Sequence, residues 1–116
     1  MRVLICGDRE WNDYKSIVAI LEKFGKGTIV IHGAARGADS LAGIAGNDLG
    51  YEVLKFPAQW DKYGKAAGVI RNQQMLDEGK PDCAVAFHDN IKSSKGTKDM
   101  IKRLEKANIK YLLWSH

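Results

Sequence analysis

Ile29-Val30-Ile31-His32-Gly33-Ala34-Ala35-Arg36-Gly37-Ala38-Asp39-Ser40 contains a strand, a glycine-bounded loop and the start of a helix. Its β-branched apolar start reads as a buried strand and stops at Gly33. A loop of small residues holding Arg36 follows, Gly37 closes it, and a helix is predicted from Ala38 to Leu49. Such a strand–loop–helix turn leaves backbone N–H groups unpaired at the helix start, where they favour an anion. Glycine lets the backbone come close to a ligand and adopt positive φ. The expectation is a loop that holds a phosphate, or a phosphate-bearing sugar or nucleotide, with other segments completing the site.

The same strand–turn–helix unit recurs on either side of this stretch. Arg2–Cys6 is a continuous apolar strand closing at Gly7, with Asp8-Arg9 in the turn after it. Asn12 or Asp13 can cap a helix on which Tyr14, Ile17, Val18 and Leu21 share a face. Past the central helix, Tyr51–Phe56 reads as strand three and Pro57 ends it. Ala58–Ala67 reads as a long loop, a place where function often resides. A helix is predicted from about Gly68 to Glu78 with Ile70 and Met75 inward, then strand four at Cys83–Phe87. The polar loop His88–Gly96 leads to a helix capped by Thr97, with Met100, Ile101, Leu104 and Ala107 as its inward stripe. Ile109–Leu113 is strand five. Short buried strands alternating with helices predict an α/β, Rossmann-like three-layer sandwich. Its mostly parallel five-stranded sheet should have the order 3-2-1-4-5, with helices on both faces. Ligands of such sheets bind at the carboxyl edge where the order reverses, here between strands one and four.

The totals agree. A chain of 116 residues, 45% hydrophobic and 28% charged, has the size and balance of one globular domain spanning residues 1–116. No apolar run approaches the ~20 residues that cross a membrane. Arg9 and Glu10 interrupt any signal-peptide pattern, so a cytoplasmic location is expected. Cys6 and Cys83 should lie at opposite ends of neighbouring strands as buried, unbridged thiols. The net charge of +4 arises wholly after residue 88: residues 1–88 hold 11 basic and 11 acidic groups, residues 89–116 seven and three. That excess is either a surface for a phosphate backbone or a solvated helix face.

Candidate site residues follow from the topology. Gly33–Gly37 lacks the Lys-Ser or Lys-Thr of the G-x-x-x-x-G-K-[ST] loop, and it is not G-x-G-x-x-G. Arg36 suits bidentate phosphate binding, with an ion pair to Asp39 or Asp61 as the alternative. Ser94-Lys95-Gly96-Thr97 repeats the anion-cradle logic beyond strand four. Arg9 can contact a ligand and Asp8 a ribose hydroxyl or water, unless Asp8 only caps a helix. Arg71-Asn72 continues no apolar stripe and is a candidate for recruitment to the site. Trp60 and Tyr63 can stack on a base or simply cover the sheet. His32 and His88, at strand ends, read as hydrogen-bonded core residues or as catalysts. No His, Cys and carboxylate cluster has metal-site spacing, and no cofactor is expected.

Four segments carry a family resemblance: Val3–Arg9, His32–Asp39, Ala67–Leu76 and Lys95–Met100. In this order they resemble the SLOG superfamily, within it the small YspA-like proteins of the DUF2493 group. The second and third are also similar to the Ala-Arg-Gly-x-Asp turn and later Arg-Asn helix of the Rossmann-like domain of DprA. The resemblance implies a Rossmann-like fold and a pocket for a nucleotide, a nucleotide-derived signal or nucleic acid, and makes a homodimer plausible. Its ligand-binding set would be Gly7, Arg9, Gly33, Ala34, Arg36, Gly37, Asp39, Arg71, Asn72, Gly96 and Thr97. Related LOG phosphoribohydrolases cleave the N-glycosidic bond of nucleoside monophosphates with a Pro-Gly-Gly-x-Gly-Thr-x-x-Glu motif. Gly96-Thr97 matches it, but Ser93-Ser94 replaces the double glycine and Met100 stands at the glutamate. Glycosidic cleavage needs a well-placed carboxylate. Asp8, Asp39 and Asp99 are the candidates, which leaves enzymatic activity open. Nucleotide binding is the leading expectation; phosphoribohydrolase activity and DprA-like single-strand binding are the alternatives.

Overall fold

The computed structural model describes all 116 residues. The elements run β1 (Arg2–Gly7), α1 (Tyr14–Glu22), β2 (Ile29–His32), α2 (Ala38–Asp48), β3 (Glu52–Lys55), a one-turn α3 (Trp60–Tyr63), α4 (Ala67–Gly79), β4 (Cys83–Phe87), α5 (Lys95–Lys106) and β5 (Lys110–Trp114). The five strands form one all-parallel sheet in the order β3-β2-β1-β4-β5, as the alternation of elements predicts.

The continuous apolar run of β1 reflects burial on both faces. Val3 and Ile5 pack with α1 and α2 side chains, Leu4 and Cys6 with those of α4 and α5. Successive strand residues point to opposite faces, so a central strand needs apolar residues at every position. The helix α2 carries a stripe of alanine and glycine, and a Cβ at Gly46 would sit 2.8 Å from a Val53 methyl. Small residues therefore let α2 lie close against β2 and β3.

Several local expectations change. Asp13 caps α1, its carboxylate accepting from Ser16 N–H at 3.2 Å. The cap of α5 is Ser94 rather than Thr97: Ser94 has the extended backbone a cap requires, and its hydroxyl accepts from Thr97 N–H at 3.0 Å. Ile70 is 38% exposed whereas Met75 is buried. Five positions on a helix amount to a rotation of about 140°, so the two cannot share a face. The inward side of α4 is instead Ala67, Asn72, Met75, Leu76 and Gly79. Ala107 lies past the end of α5 and is exposed. Nor is every strand buried: β3 and β5 are edges, and Leu112 is 50% exposed. The Ala58–Ala67 loop holds α3 and a 3₁₀ turn, Gly64–Ala66.

Both cysteines are free. Cys83 pairs in register with Val3 and Cys6 with Ala86, at opposite ends of the two strands, and Cys83 is only half-buried. No helix is long and apolar enough to cross a membrane.

Candidate functional site

The carboxyl ends of β1, β2 and β4 meet at the switch point, around a cleft of about 530 Å³. Gly7 makes the approach possible. Its φ is +153°, and a Cβ there would strike the Phe87 backbone on β4. Gly37, with φ +77° and ψ −129°, does the same between loops, because its Cβ would overlap the Asp8 and Arg9 carbonyl groups. In return Asp8 C=O accepts from Ala38 N–H at 3.1 Å, pairing the first N–H of α2. Gly37 thus packs the β2–α2 loop onto the β1–α1 turn and does not itself line the cleft.

Asp39 is buried, 5% exposed, and its carboxylate accepts from Gly33 N–H at 2.8 Å. Burial pushes its pKa up to about 6, against the pull of the Gly33 N–H and of Arg71. Arg71 donates to Gly33 C=O and, through Nε, to Asn72 Oδ1 at 3.2 Å. Asn72 then donates to Asp99 at 3.0 Å and to Gly96 C=O at 3.3 Å. Arg103 Nε completes the chain on Asp99 at 2.8 Å. One polar network therefore spans from the Gly33 loop to the start of α5. This explains a polar pair on α4: Asn72 sits on the buried face because it ties two loops together.

The two strand-end histidines share a geometry. Ala34 N–H donates to His32 Nδ1 at 3.0 Å, and Asn90 N–H to His88 Nδ1 at 2.9 Å. Each ring is thereby held with its proton on Nε2. His32 shapes the loop by holding Ala34 at φ +58°. Its Nε2 faces Gly43 without a partner, and burial, with Lys55 and Arg71 adding, lowers its pKa to about 4. His88 lines the cleft.

Arg36 projects outward and pairs with Glu10 at 2.7 Å, not with Asp39 or Asp61. Both partners are largely exposed, and such a pair contributes about 0–1 kcal/mol, so the guanidinium is readily given up to a bound anion. The N–H groups of Arg36 and Gly37 at α2, and of Lys95 and Gly96 at α5, make no hydrogen bond within the chain. Of these residues Arg36, Lys95 and Gly96 line the cleft, so the start of α5 opens on it, whereas the first N–H of α2 is taken by Asp8 C=O.

Of the residues singled out from the sequence, Gly7, Asp8, Arg9, Arg36, Asp39, Arg71, Asn72, Gly96 and Thr97 line this cleft. Gly33, Ala34 and Trp60 line an adjoining hollow. Tyr63 lies elsewhere, on a groove along α4 with Gln73 and Asp77. The carboxylates are mostly committed: Asp39 to Gly33, Asp99 to Arg103 and Asn72. Asp8 accepts from Glu10 N–H at 2.9 Å through Oδ1 and keeps its other oxygen uncommitted. Met100, at the position of the LOG glutamate, is buried in the cleft floor beside Met75. Sequence reading passed over Glu10, Asp89 and Asn90, which also line the cleft. The place of Asp89-Asn90 directly after β4 is the signal that would have found those two; nothing local in the sequence marks Glu10 as the partner of Arg36. The lining is electrically balanced, with Arg9, Arg36, Arg71 and Lys95 against Asp8, Glu10, Asp39 and Asp89.

Fold and crevice together define a doubly wound, Rossmann-like protein with a cleft at its switch point. The chain belongs to the YspA, cpYpsA-related SLOG family, whose model matches residues 1–63. The Gene 61 protein of Mycobacterium phage D29 is 34% identical over 117 residues, covering 93% of this chain and 91% of the phage protein. DNA processing protein A (DprA) from Streptococcus pneumoniae superimposes with a TM-score of 0.78 over 97% of this chain at 14% identity, a likeness of fold. The chain spans about half (49%) of that protein's length.

Proposed function

We propose that the protein binds a nucleotide or nucleotide-derived ligand in the switch-point cleft, its phosphate held between the starts of α2 and α5. The observation that carries this reading is that the Arg9, Arg36 and Arg71 side chains line one crevice together with Lys95 and Gly96, whose N–H groups at the start of α5 are unpaired. Asp39, Arg71 and Asn72 act as positioning residues: their polar atoms hold the two loops in register. A phosphate in this place exchanges water for fixed donors and the exposed Arg36–Glu10 pair for a phosphate–guanidinium contact. The balanced lining favours a compact ligand over a long polyanion, whose capture relies on a broad positive field.

A thermal-shift panel of nucleotides, with oligonucleotides as a separate arm, tests this. A ligand at a hundred times its Kd adds about 2.7 kcal/mol, roughly a 10 °C rise in Tm. Arg36→Ala should leave the unliganded Tm within about 2 °C and abolish most of that rise. No rise with any nucleotide, in wild type and variant alike, would end the proposal. Release of free base from a nucleoside monophosphate, lost in Asp8→Asn, would instead establish a phosphoribohydrolase.

Gly96 separates binding from stability. A Cβ there meets nothing within 4 Å. Gly96→Ala should therefore raise Tm slightly, since alanine is favoured over glycine in a helix by roughly 0.5–1 kcal/mol. The same methyl sits at the mouth of the α5 cradle and should weaken nucleotide binding. Unchanged binding with raised Tm would remove α5 from the site.

A further inference from the structure

The Gly33–Gly37 loop is a divide between two hollows. On one side lies the 530 Å³ cleft; on the other is a hollow of about 450 Å³ bounded by Gly33, Pro57, Ala58 and Trp60. Arg9, Arg36 and Arg71 line both. The two spaces differ in chemistry. The larger is walled by backbone N–H groups, carboxylates and amides. The smaller has an aromatic side chain beside proline and alanine. Trp60 is 52% exposed, although tryptophan is ordinarily well buried. The other tryptophans are covered: Trp11 is 5% exposed, and Trp114 is half-buried in a ring cluster with Trp11 and Phe87. The Trp60 ring edge lies beside Gly68, 3.6 Å from where a Cβ would project, an ordinary van der Waals distance.

From this we infer a second subsite, resting on the nucleotide reading above: the hollow beside Trp60 takes a second planar base, and the ligand is two nucleosides joined through phosphate. The phosphates cross the divide at Arg9, Arg36 and Arg71. One nucleoside lies in the polar cleft and the other base stacks on the Trp60 face. Stacking is indifferent to which base is present, because every base offers a π-face. The polar cleft, with its fixed donors and acceptors, is where one base or sugar is discriminated.

The test compares a mononucleotide, a pyrophosphate-linked dinucleotide and a 3′,5′-linked dinucleotide on wild type, Trp60→Ala and Trp60→Phe by titration calorimetry. Wild type should bind a dinucleotide at least about tenfold tighter than the mononucleotide, the scale of one base–aromatic stack. Trp60→Ala should erase that advantage and leave mononucleotide affinity within about twofold. Trp60→Phe, which keeps a platform, should retain most of it. The two dinucleotides distinguish the linkage the arginines accept, and an advantage for either one supports the subsite. Equal binding of mono- and dinucleotides by wild type overturns it, as does a Trp60→Ala effect that is the same for both. Binding of mononucleotide with no Trp60-dependent gain removes the subsite alone. Binding of no nucleotide removes the reading of the main cleft and the subsite with it.

Discussion

Gly37→Ala should lower stability by at least about 3 kcal/mol, a Tm loss of roughly 10 °C or more. Two costs combine. The backbone at φ +77° and ψ −129° belongs to a region that only glycine enters without strain. The added methyl would also overlap the backbone of Asp8 and Arg9, which cannot swing aside as a flexible side chain would. Relief requires the two loops to part, which breaks the Ala38 N–H to Asp8 C=O bond and opens the wall of the cleft. Nucleotide binding should vanish along with the stability. Thermal unfolding beside Gly96→Ala is the measurement, since the same substitution there carries the opposite sign. A Gly37→Ala protein that melts within about 2 °C of wild type would show that the loops are not locked in this way.

Asp39→Ala should be the other severe change, and its cost should depend on pH. The substitution leaves the buried Gly33 N–H without an acceptor and Arg71 without its nearest opposite charge. An unsatisfied buried donor costs about 1–3 kcal/mol. The Asp39 pKa is raised from 3.8 to about 6, so the folded state holds this proton more tightly than the unfolded chain. Its contribution to stability is therefore complete below pH 3.8 and declines as pH rises through 6. By linkage that decline is about 3 kcal/mol. The penalty of Asp39→Ala should accordingly be larger at pH 4 than at pH 7. His32 works in the opposite sense. Its pKa falls from 6.5 to about 4, so its contribution is complete above 6.5 and is lost as pH drops towards 4. The two slopes oppose each other between pH 4 and 6, which mutes the wild-type profile there. Urea titrations across that window should show His32→Gln gaining stability relative to wild type towards pH 4 and Asp39→Ala losing it. Parallel profiles for all three proteins would refute the coupling.

Legibility in the sequence follows from how local each cause is. The strands, their parallel pairing and the order 3-2-1-4-5 were readable because burial on both faces forces unbroken apolar runs, as in Val3–Cys6 and Ile29–Ile31. The loop at Gly33–Gly37 was readable as a strand-to-helix turn because glycine spacing at such a junction is itself local. Ile70 misled because an isolated apolar residue carries no phase: only Met75, Leu76 and Gly79 together fix which side of α4 is inward. β5 misled because an edge strand can be as apolar as a central one while lacking a neighbour on one side.

By itself, then, the sequence determined the doubly wound sheet, its switch point and the presence of two helix starts there. Which group each polar side chain pairs with was set only by the tertiary structure. Asp39 is the acceptor that holds Gly33, and Asp99 the partner of Arg103 and Asn72. Arg36 found Glu10, 26 positions earlier in the chain. These pairings join segments far apart in sequence, and no spacing rule encodes them. They form only when chain closure brings the ends of β1, β2 and β4 together, where each charge takes the nearest opposite group that burial leaves available.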